Sequence, residues 1–246
     1  MAEHLVEHDG AGDAAALLAA VAAADPPIPG IGPSTTRAVE GLRASGTLPS
    51  EGGETNGAVM RALPVGWQVP LDAEDRRRAL SVEMSRATHP GARAQVAACV
   101  VAACGAWSLE GAGPHLLLDV AIDEEAAAAA LVGVDTSLAE QLAGIAAGTR
   151  QVPAEGVSLD ACDTAAAVLD CVVRATSLRD GLLRAIRLGG DTDTVAALVG
   201  GILAARLETD DVRTQLPWHT AVHLPDEATI TRLAAGLTTL RSRPTQ

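Results

Sequence analysis

Two carboxylates and a hydroxyl stand close together within residues 188–194. Asp191 and Asp193 are two residues apart, Thr194 follows directly, and a Gly-Gly pair precedes them just before an apolar stretch. Carboxylate and hydroxyl oxygens are the ligands that hard cations such as Mg²⁺ and Ca²⁺ prefer. The simpler alternative is a helix N-cap, because Asp and Thr both cap well. A cap needs only one such residue, so the segment favours a metal site.

A second polar segment runs from Asn56 to Pro64. Asn56-Gly57 is typical of a turn, and Arg61 follows it. A guanidinium can hold a phosphate or a carboxylate through two parallel hydrogen bonds. The alternative, which this segment alone favours, is an exposed arginine where a loop leads into a helix.

His89 lies between a threonine and a proline. A histidine in such a place is more often a helix cap or a surface residue than part of a site. By itself it carries little information.

Taken together and in this order, the three segments resemble the ADP-ribosylglycohydrolase family. The elements are Asn-Gly-x-x-Met-Arg-x-x-Pro from Asn56, Thr-His at 88–89 and Gly-Gly-Asp-Thr-Asp-Thr at 189–194. The small residues after Val195 and the Leu-Pro-Trp sequence ending at Trp218 are similar to the family as well. The resemblance covers nearly the whole chain, and the Gly-Gly-Asp-x-Asp-Thr element is its specific part.

The resemblance implies a magnesium-dependent hydrolase with two metal ions, an all-helical fold and a single domain over residues 1–246. The ions would orient the ribose hydroxyls and a water molecule. Cleavage would occur at the anomeric carbon that joins ADP-ribose to its acceptor, through an oxocarbenium-like transition state. The implied metal ligands are Asp191, Asp193 and Thr194, and the residues implied near ADP-ribose are Asn56, Gly57, Met60, Arg61, His89 and Gly190. No catalytic acid or base is implied.

The family's first metal motif, Thr-Asp-Asp-Thr, has no counterpart in this sequence. The first residues resemble the helix that follows that motif, so we expect an amino-terminally truncated form of the fold with half of the metal site. Thr209-Asp210-Asp211 has similar letters, but a helix on the order of 20 Å long separates it from Asp193. The acidic run at Asp123-Glu124-Glu125 is expected to be solvated.

Three hypotheses about function follow. The first is a hydrolase that acts on ADP-ribose attached to an acceptor. The second is a non-catalytic ADP-ribose-binding module that holds half of a metal site. The third is a helical remnant in which the acidic residues serve only as caps. An effect of Mg²⁺ and ADP-ribose on thermal melting separates the third from the other two.

The composition favours one large helical domain and excludes several functions. Of 246 residues, 48% are hydrophobic and 1% aromatic, so Ala, Leu, Val and Ile must fill the core and let helices approach closely. A net charge of −13 argues against nucleic-acid binding.

The longest apolar run, 94–107, is too short to cross a membrane. No signal peptide opens the chain, so we expect a cytoplasmic protein, with Cys99, Cys104, Cys162 and Cys171 as buried free thiols.

The helices that must position these residues are marked by their caps. We expect helices that begin after Asp13, Asp72, Ser177 and Asp226, and one that begins at Ser34, Thr35 or Thr36 and ends near Gly46. Ser177 and Asp180 resemble a capping box. Further helices are expected at 119–130, 137–147, 158–175 and 195–207, with a frayed tail from Arg241. No strand is expected.

Overall fold

The computed structural model describes residues 1–25, 28, 30–222 and 225–243, and within them the fold is all-α. The helices are α1 Ala2–Glu7, α2 Ala14–Ala23, α3 Pro33–Ser45, α4 Leu63–Gln68, α5 Glu74–Arg86, α6 Ala92–Leu109, α7 Pro114–Val132, α8 Ser137–Ala146, α9 Ala161–Arg174, α10 Leu178–Arg187, α11 Thr192–Ala204, α12 Thr209–Gln215 and α13 Glu227–Arg241. Short 3₁₀ turns cover Val59–Arg61 and Pro217–Ala221. These residues form no strand, only two isolated β-bridges.

Helix α6 lies at the centre of the core and packs against α4, α5, α7 and α9. It is the one helix in the described part of the chain that is long and apolar enough to cross a membrane, but 78% of it is buried within the protein. Small residues set the packing distance, as the composition predicted. A Cβ on Gly66 of α4 would lie 2.0 Å from the carbonyl oxygen of Ala102 in α6.

Local caps define three helix starts as the sequence predicted. The side chains of Asp13, Ser177 and Asp226 accept backbone N–H groups of α2, α10 and α13. The predicted capping box forms only in part. Its second bond would join Asp180 to the backbone N–H of Ser177, but Asp180 accepts the backbone N–H of Thr176 instead. Helix α3 does end at Gly46, which adopts φ +71°.

Five predicted helix starts are wrong, including those of α7, which begins at Pro114 and not at 119, and of α11, which begins at Thr192 and not at 195. Helix α3 begins at Pro33 behind Gly32 with no side-chain cap, because Ser34 bonds to Thr55 instead. Helix α5 begins behind Ala73 without the predicted cap from Asp72. Helix α9 begins at Ala161 and not at 158, because the residues before it form β-bridges.

Two of the three acids in the run on α7 are buried, which corrects the sequence prediction for them, whereas Asp123 is exposed as predicted. Glu124 and Glu125 are 4% and 5% exposed. Glu124 accepts two hydrogen bonds from Arg78, both at 3.0 Å, and lies 3.8 Å from Arg77. Glu125 accepts the hydroxyl of Thr136 at 2.6 Å. These acids therefore tie α7 to α5 and to the start of α8.

The four cysteines are buried and free, as predicted. Burial raises the pKa of Cys162 and of Cys171 to about 11, which keeps both as neutral thiols near neutral pH. The predicted frayed tail lies partly outside the described residues, since the described chain ends at Arg243.

Candidate active site

One short segment, 157–160, holds the two predicted site loops side by side. Val157 pairs with the Gly-Gly turn, accepting the backbone N–H of Asp191 and donating to Gly189, both at 3.0 Å. Leu159 accepts the backbone N–H of Asn56 at 2.9 Å. Backbone hydrogen bonds to this segment therefore hold both loops, and side chains of both loops line the same cavity.

The close approach of these backbones requires glycine at two positions. Gly190 has φ +71°, and a Cβ there would lie 2.2 Å from the carbonyl oxygen of Val157. A Cβ on Gly57 would lie 2.4 Å from Cε1 of His89. Gly190 therefore shapes the turn, whereas Gly57 makes room for the imidazole.

The side chains of Asn56 and Asp191 meet directly. Nδ2 of Asn56 donates to Oδ2 of Asp191 at 2.5 Å and to Oγ1 of Thr164 at 2.9 Å. Asn56 is 5% exposed and Thr164 is fully buried. The Asp191 carboxylate makes no side-chain cap on α11, so the cap alternative does not describe its role.

The two carboxylates of the Asp-Thr-Asp segment influence each other. Burial raises the pKa of Asp191, the hydrogen bond from Asn56 opposes that shift, and the charge of Asp193 adds to it. The pKa of Asp193, which is exposed, is lowered by its hydrogen bond with Asp191. A cation placed between them would relieve the repulsion, which is the electrostatic setting of a metal site.

Arg61 is not an exposed residue: it is half-buried in the cavity wall, its two terminal nitrogens donate within the protein, and its buried Nε has no partner among the described residues. Its guanidinium donates to the carbonyl oxygen of Gly57 at 2.8 Å and to Oγ1 of Thr88 at 2.7 Å, with longer bonds to the carbonyls of Met84 and Ser85. Burial lowers the pKa of Arg61 to about 10, so it stays charged at neutral pH. The arginine ties the Asn-Gly loop to the end of α5.

His89 is a buried member of the site, 2% exposed. Its Nδ1 bonds to Oγ1 of Thr88 at 2.7 Å, and its Nε2 bonds to Oγ1 of Thr55 at 3.1 Å. Burial, helped by the charge of Arg61, lowers the pKa of His89 to about 3. The imidazole is therefore neutral, and its hydrogen bond holds the hydroxyl of Thr55, the residue before Asn56, in place.

These side chains line one cavity of about 400 Å³. It contains eight of the nine predicted site residues: Asn56, Gly57, Met60, Arg61, His89, Asp191, Asp193 and Thr194. Gly190, the ninth, lies in the turn before α11 and does not line the cavity. The sequence missed further lining residues, namely Thr55, Thr88, Leu159, and Gly30 to Pro33 with Thr35.

The sequence did contain a signal for the cavity-lining residues at the start of α3. Gly30-Ile31-Gly32 precedes the helix, and glycines before a helix N-terminus are typical of loops that approach an anion. Helix α3 has no side-chain cap, and its first turn offers the N–H groups of Ser34 and Thr35 only, because Pro33 has none and that of Thr36 donates to Gly32. Thr164 had no comparable signal, because it sits among apolar residues of α9.

The donors present fit one magnesium ion better than two. Asp191, Asp193 and Thr194 share the cavity wall, and Mg²⁺ is commonly held by one or two carboxylates with waters and ligand oxygens. No group of three or more His, Cys, Asp or Glu side chains that could hold a metal occurs in the described ranges. Thr209, Asp210 and Asp211 begin α12 and do not line the cavity, as the helix-length argument predicted.

Comparisons with known proteins agree on the family. The family model described as ADP-ribosylglycohydrolase matches residues 1–246. A solved structure described as an "ADP-ribosylglycohydrolase-related protein complex" is similar with a TM-score of 0.76 and 26% sequence identity, over 97% of this chain and 77% of that chain. No curated protein matches the sequence.

Proposed function

The chain belongs to the ADP-ribosylglycohydrolase family, and on that premise we propose that it hydrolyses the glycosidic bond between ADP-ribose and an acceptor. The reaction takes place in the cavity that holds Asn56, His89 and Asp191. The observation that carries the proposal is the contact of Asn56 with Asp191, which joins the two most specific motifs of the sequence at one wall.

The cavity suits ADP-ribose in size and chemistry. A volume of about 400 Å³ lies in the range of small-molecule sites. Ile31, Met60 and Leu159 are exposed apolar residues around it, which suits a purine ring. The first turn of α3 suits the diphosphate, because helix N-termini attract negative charge.

Asp191, Asp193 and Thr194 would hold Mg²⁺. The ion, when bound, orients the ribose hydroxyls and lowers the pKa of a bound water. Positive charge develops on the ribose in an oxocarbenium-like transition state, and the carboxylates of Asp191 and Asp193 would offset the charge of the ion so that the site is not strongly repulsive to it. Both ring nitrogens of neutral His89 are bonded within the protein, so its part is to hold the uncharged hydroxyl of Thr55 at the cavity wall.

The second candidate is a module that binds ADP-ribose without cleaving it. One observation favours it: Asp191 and Asp193 are the only carboxylates among the described residues lining the cavity. Two carboxylates and a hydroxyl hold one ion and leave little to offset the repulsion between two.

Thermal melting with and without Mg²⁺ plus ADP-ribose tests the shared part of both candidates. A ligand that binds only the folded state raises the melting temperature. We expect a rise that Asp191→Ala abolishes and Asp211→Ala, a matched change on α12, preserves. An equal rise in the Asp191→Ala variant would show that the cavity is not the site, and no rise in any protein would remove both candidates.

Release of free ADP-ribose then separates the two candidates. Substrates modified on arginine, on serine and on a nucleic-acid end are each incubated with the protein and Mg²⁺. Release that depends on Asp191 supports the hydrolase. Binding without release from any of them supports the module.

A further inference from the structure

Thr164 is a buried hydroxyl in an otherwise apolar stretch of α9. Ala165, Ala166, Ala167 and Val168 follow it, and all are fully buried, as is Thr164 itself. A buried hydroxyl without a partner is costly. The side-chain partner of Thr164 is Asn56, whose Nδ2 donates to Oγ1 at 2.9 Å across 108 residues of sequence.

The carboxylate of Asp191 fixes the orientation of the Asn56 amide. An ionised carboxylate only accepts hydrogen bonds, so the atom 2.5 Å from Oδ2 of Asp191 must be Nδ2 and not Oδ1. The amide has two hydrogens, and its two acceptors are Asp191 and Thr164. Thr164 therefore accepts the hydrogen that Asp191 does not take, and this holds the amide plane in place.

We infer that Thr164 is a positioning residue that, through Asn56, fixes the Asp191 carboxylate for cation binding. The inference deepens the proposed function and rests on it. Thr164 touches no ligand, because it lies behind Asn56 and outside the cavity wall. Partners behind a metal ligand commonly change metal affinity by about 10- to 100-fold when they are lost.

The side-chain amide of Asn56 can be observed by itself, because Asn56 is the only asparagine in the sequence. Protein labelled with ¹⁵N in the asparagine side chain should give a single NH₂ pair in a proton–nitrogen NMR spectrum. Both protons are hydrogen-bonded in the structure. We therefore expect slow exchange with solvent for both, and a shift of the pair when Mg²⁺ is added.

The test compares Thr164→Val with Thr164→Ser. The valine variant keeps the shape and removes the acceptor, so one amide proton should exchange at least about tenfold faster and the Kd for Mg²⁺ should rise about tenfold. The serine variant should restore both to within about threefold. Ser108→Ala is the matched control, because it removes another fully buried hydroxyl, one bonded to Ile202, outside the cavity.

The outcomes separate the inference from the proposed function. An unchanged NH₂ pair and an unchanged Kd in Thr164→Val would overturn the inference. Failure of the unaltered protein to bind Mg²⁺ would overturn the proposed cation and with it the inferred purpose. If Thr164→Val does not fold, Thr164→Ala is measured in the same way, with recovery in Thr164→Ser still required.

Discussion

The amide of Asn56 and the carboxylate of Asp191 lie 2.5 Å apart although 135 residues separate them in sequence. This contact joins two sides of the cavity wall, because it links the Asn-Gly loop to the N-terminus of α11. The Asn56 side chain also donates to Thr164, and the backbone N–H of Asp191 donates to the carbonyl oxygen of Val157.

Replacing the amide with a carboxylate tests this contact directly. In Asn56→Asp, two carboxylates would lie at hydrogen-bonding distance, so the pKa of one must rise in the folded state. A raised folded pKa makes the variant lose stability as pH increases. At pH 7.5 we expect a loss of about 1–3 kcal/mol in the free energy of unfolding, shrinking toward pH 5.

Asn56→Ala is the control for that experiment. It loses the same hydrogen bonds without adding a charge, so its stability deficit should change less with pH between 5 and 7.5 than that of Asn56→Asp. Urea unfolding at several pH values measures both variants. Parallel pH profiles for the two would contradict the direct contact with Asp191.

The Gly-Gly turn should tolerate no side chain at Gly190. A left-handed backbone costs an alanine about 1–2 kcal/mol. At Gly190 the new Cβ would also overlap Val157. Gly148, at φ +70°, is the matched control, because a Cβ there meets nothing within 4 Å.

We expect Gly190→Ala to lower the melting temperature more than Gly148→Ala does, and to abolish the shift produced by Mg²⁺ plus ADP-ribose. Gly148→Ala should retain that shift. Differential scanning fluorimetry measures both effects. Equal destabilisation by the two changes would show that the bridge to Val157 does not form.

His89 should make the protein sensitive to acid. Its folded pKa of about 3 lies below the ordinary value of 6.5, so the unfolded chain binds the proton first as pH falls. The stability from neutral His89 is complete above pH 6.5 and is lost toward pH 3. The loss is about 1.4 kcal/mol per pH unit for one group.

His89→Gln lacks this titration. The difference in unfolding free energy between the two proteins should therefore shrink as pH falls from 6.5 to 4.5. Urea unfolding at four pH values in that range provides the measurement. A constant difference would mean that the imidazole titrates normally.

The buried carboxylate of Glu124 should be far more important for stability than a surface acid. Glu124→Gln leaves Arg77 without its charged partner and Arg78 with only the exposed Asp75, and removing one member of a buried pair costs about 3–5 kcal/mol. The exposed pair of Asp210 with Arg213 is the comparison, and Asp210→Asn should cost under about 1 kcal/mol. Similar midpoints of denaturation for the two variants would argue that Glu124 is solvated after all.

Much of the fold could be predicted because its signals are local. Asp13, Ser177 and Asp226 cap helices through bonds to residues three positions away, so the sequence alone reveals them. The start of α9 also has a local cap, because the Asp160 side chain accepts the backbone N–H groups of Cys162 and Asp163, and the prediction from 158 overlooked it. Ser34, by contrast, bonds to the distant Thr55 when it could have capped α3.

Sequence by itself determined an all-helical domain, its family and eight residues of one cavity wall. Local spacing accounts for Asp191, Asp193 and Thr194, which share one turn of backbone, and the resemblance to the family supplied the other five. Only the tertiary structure decided that Thr164 supports Asn56, that Arg61 donates to Gly57 and Thr88, and that Glu124 is buried. Each of these depends on helices packed across large separations in sequence, and no spacing rule encodes which buried polar groups meet there.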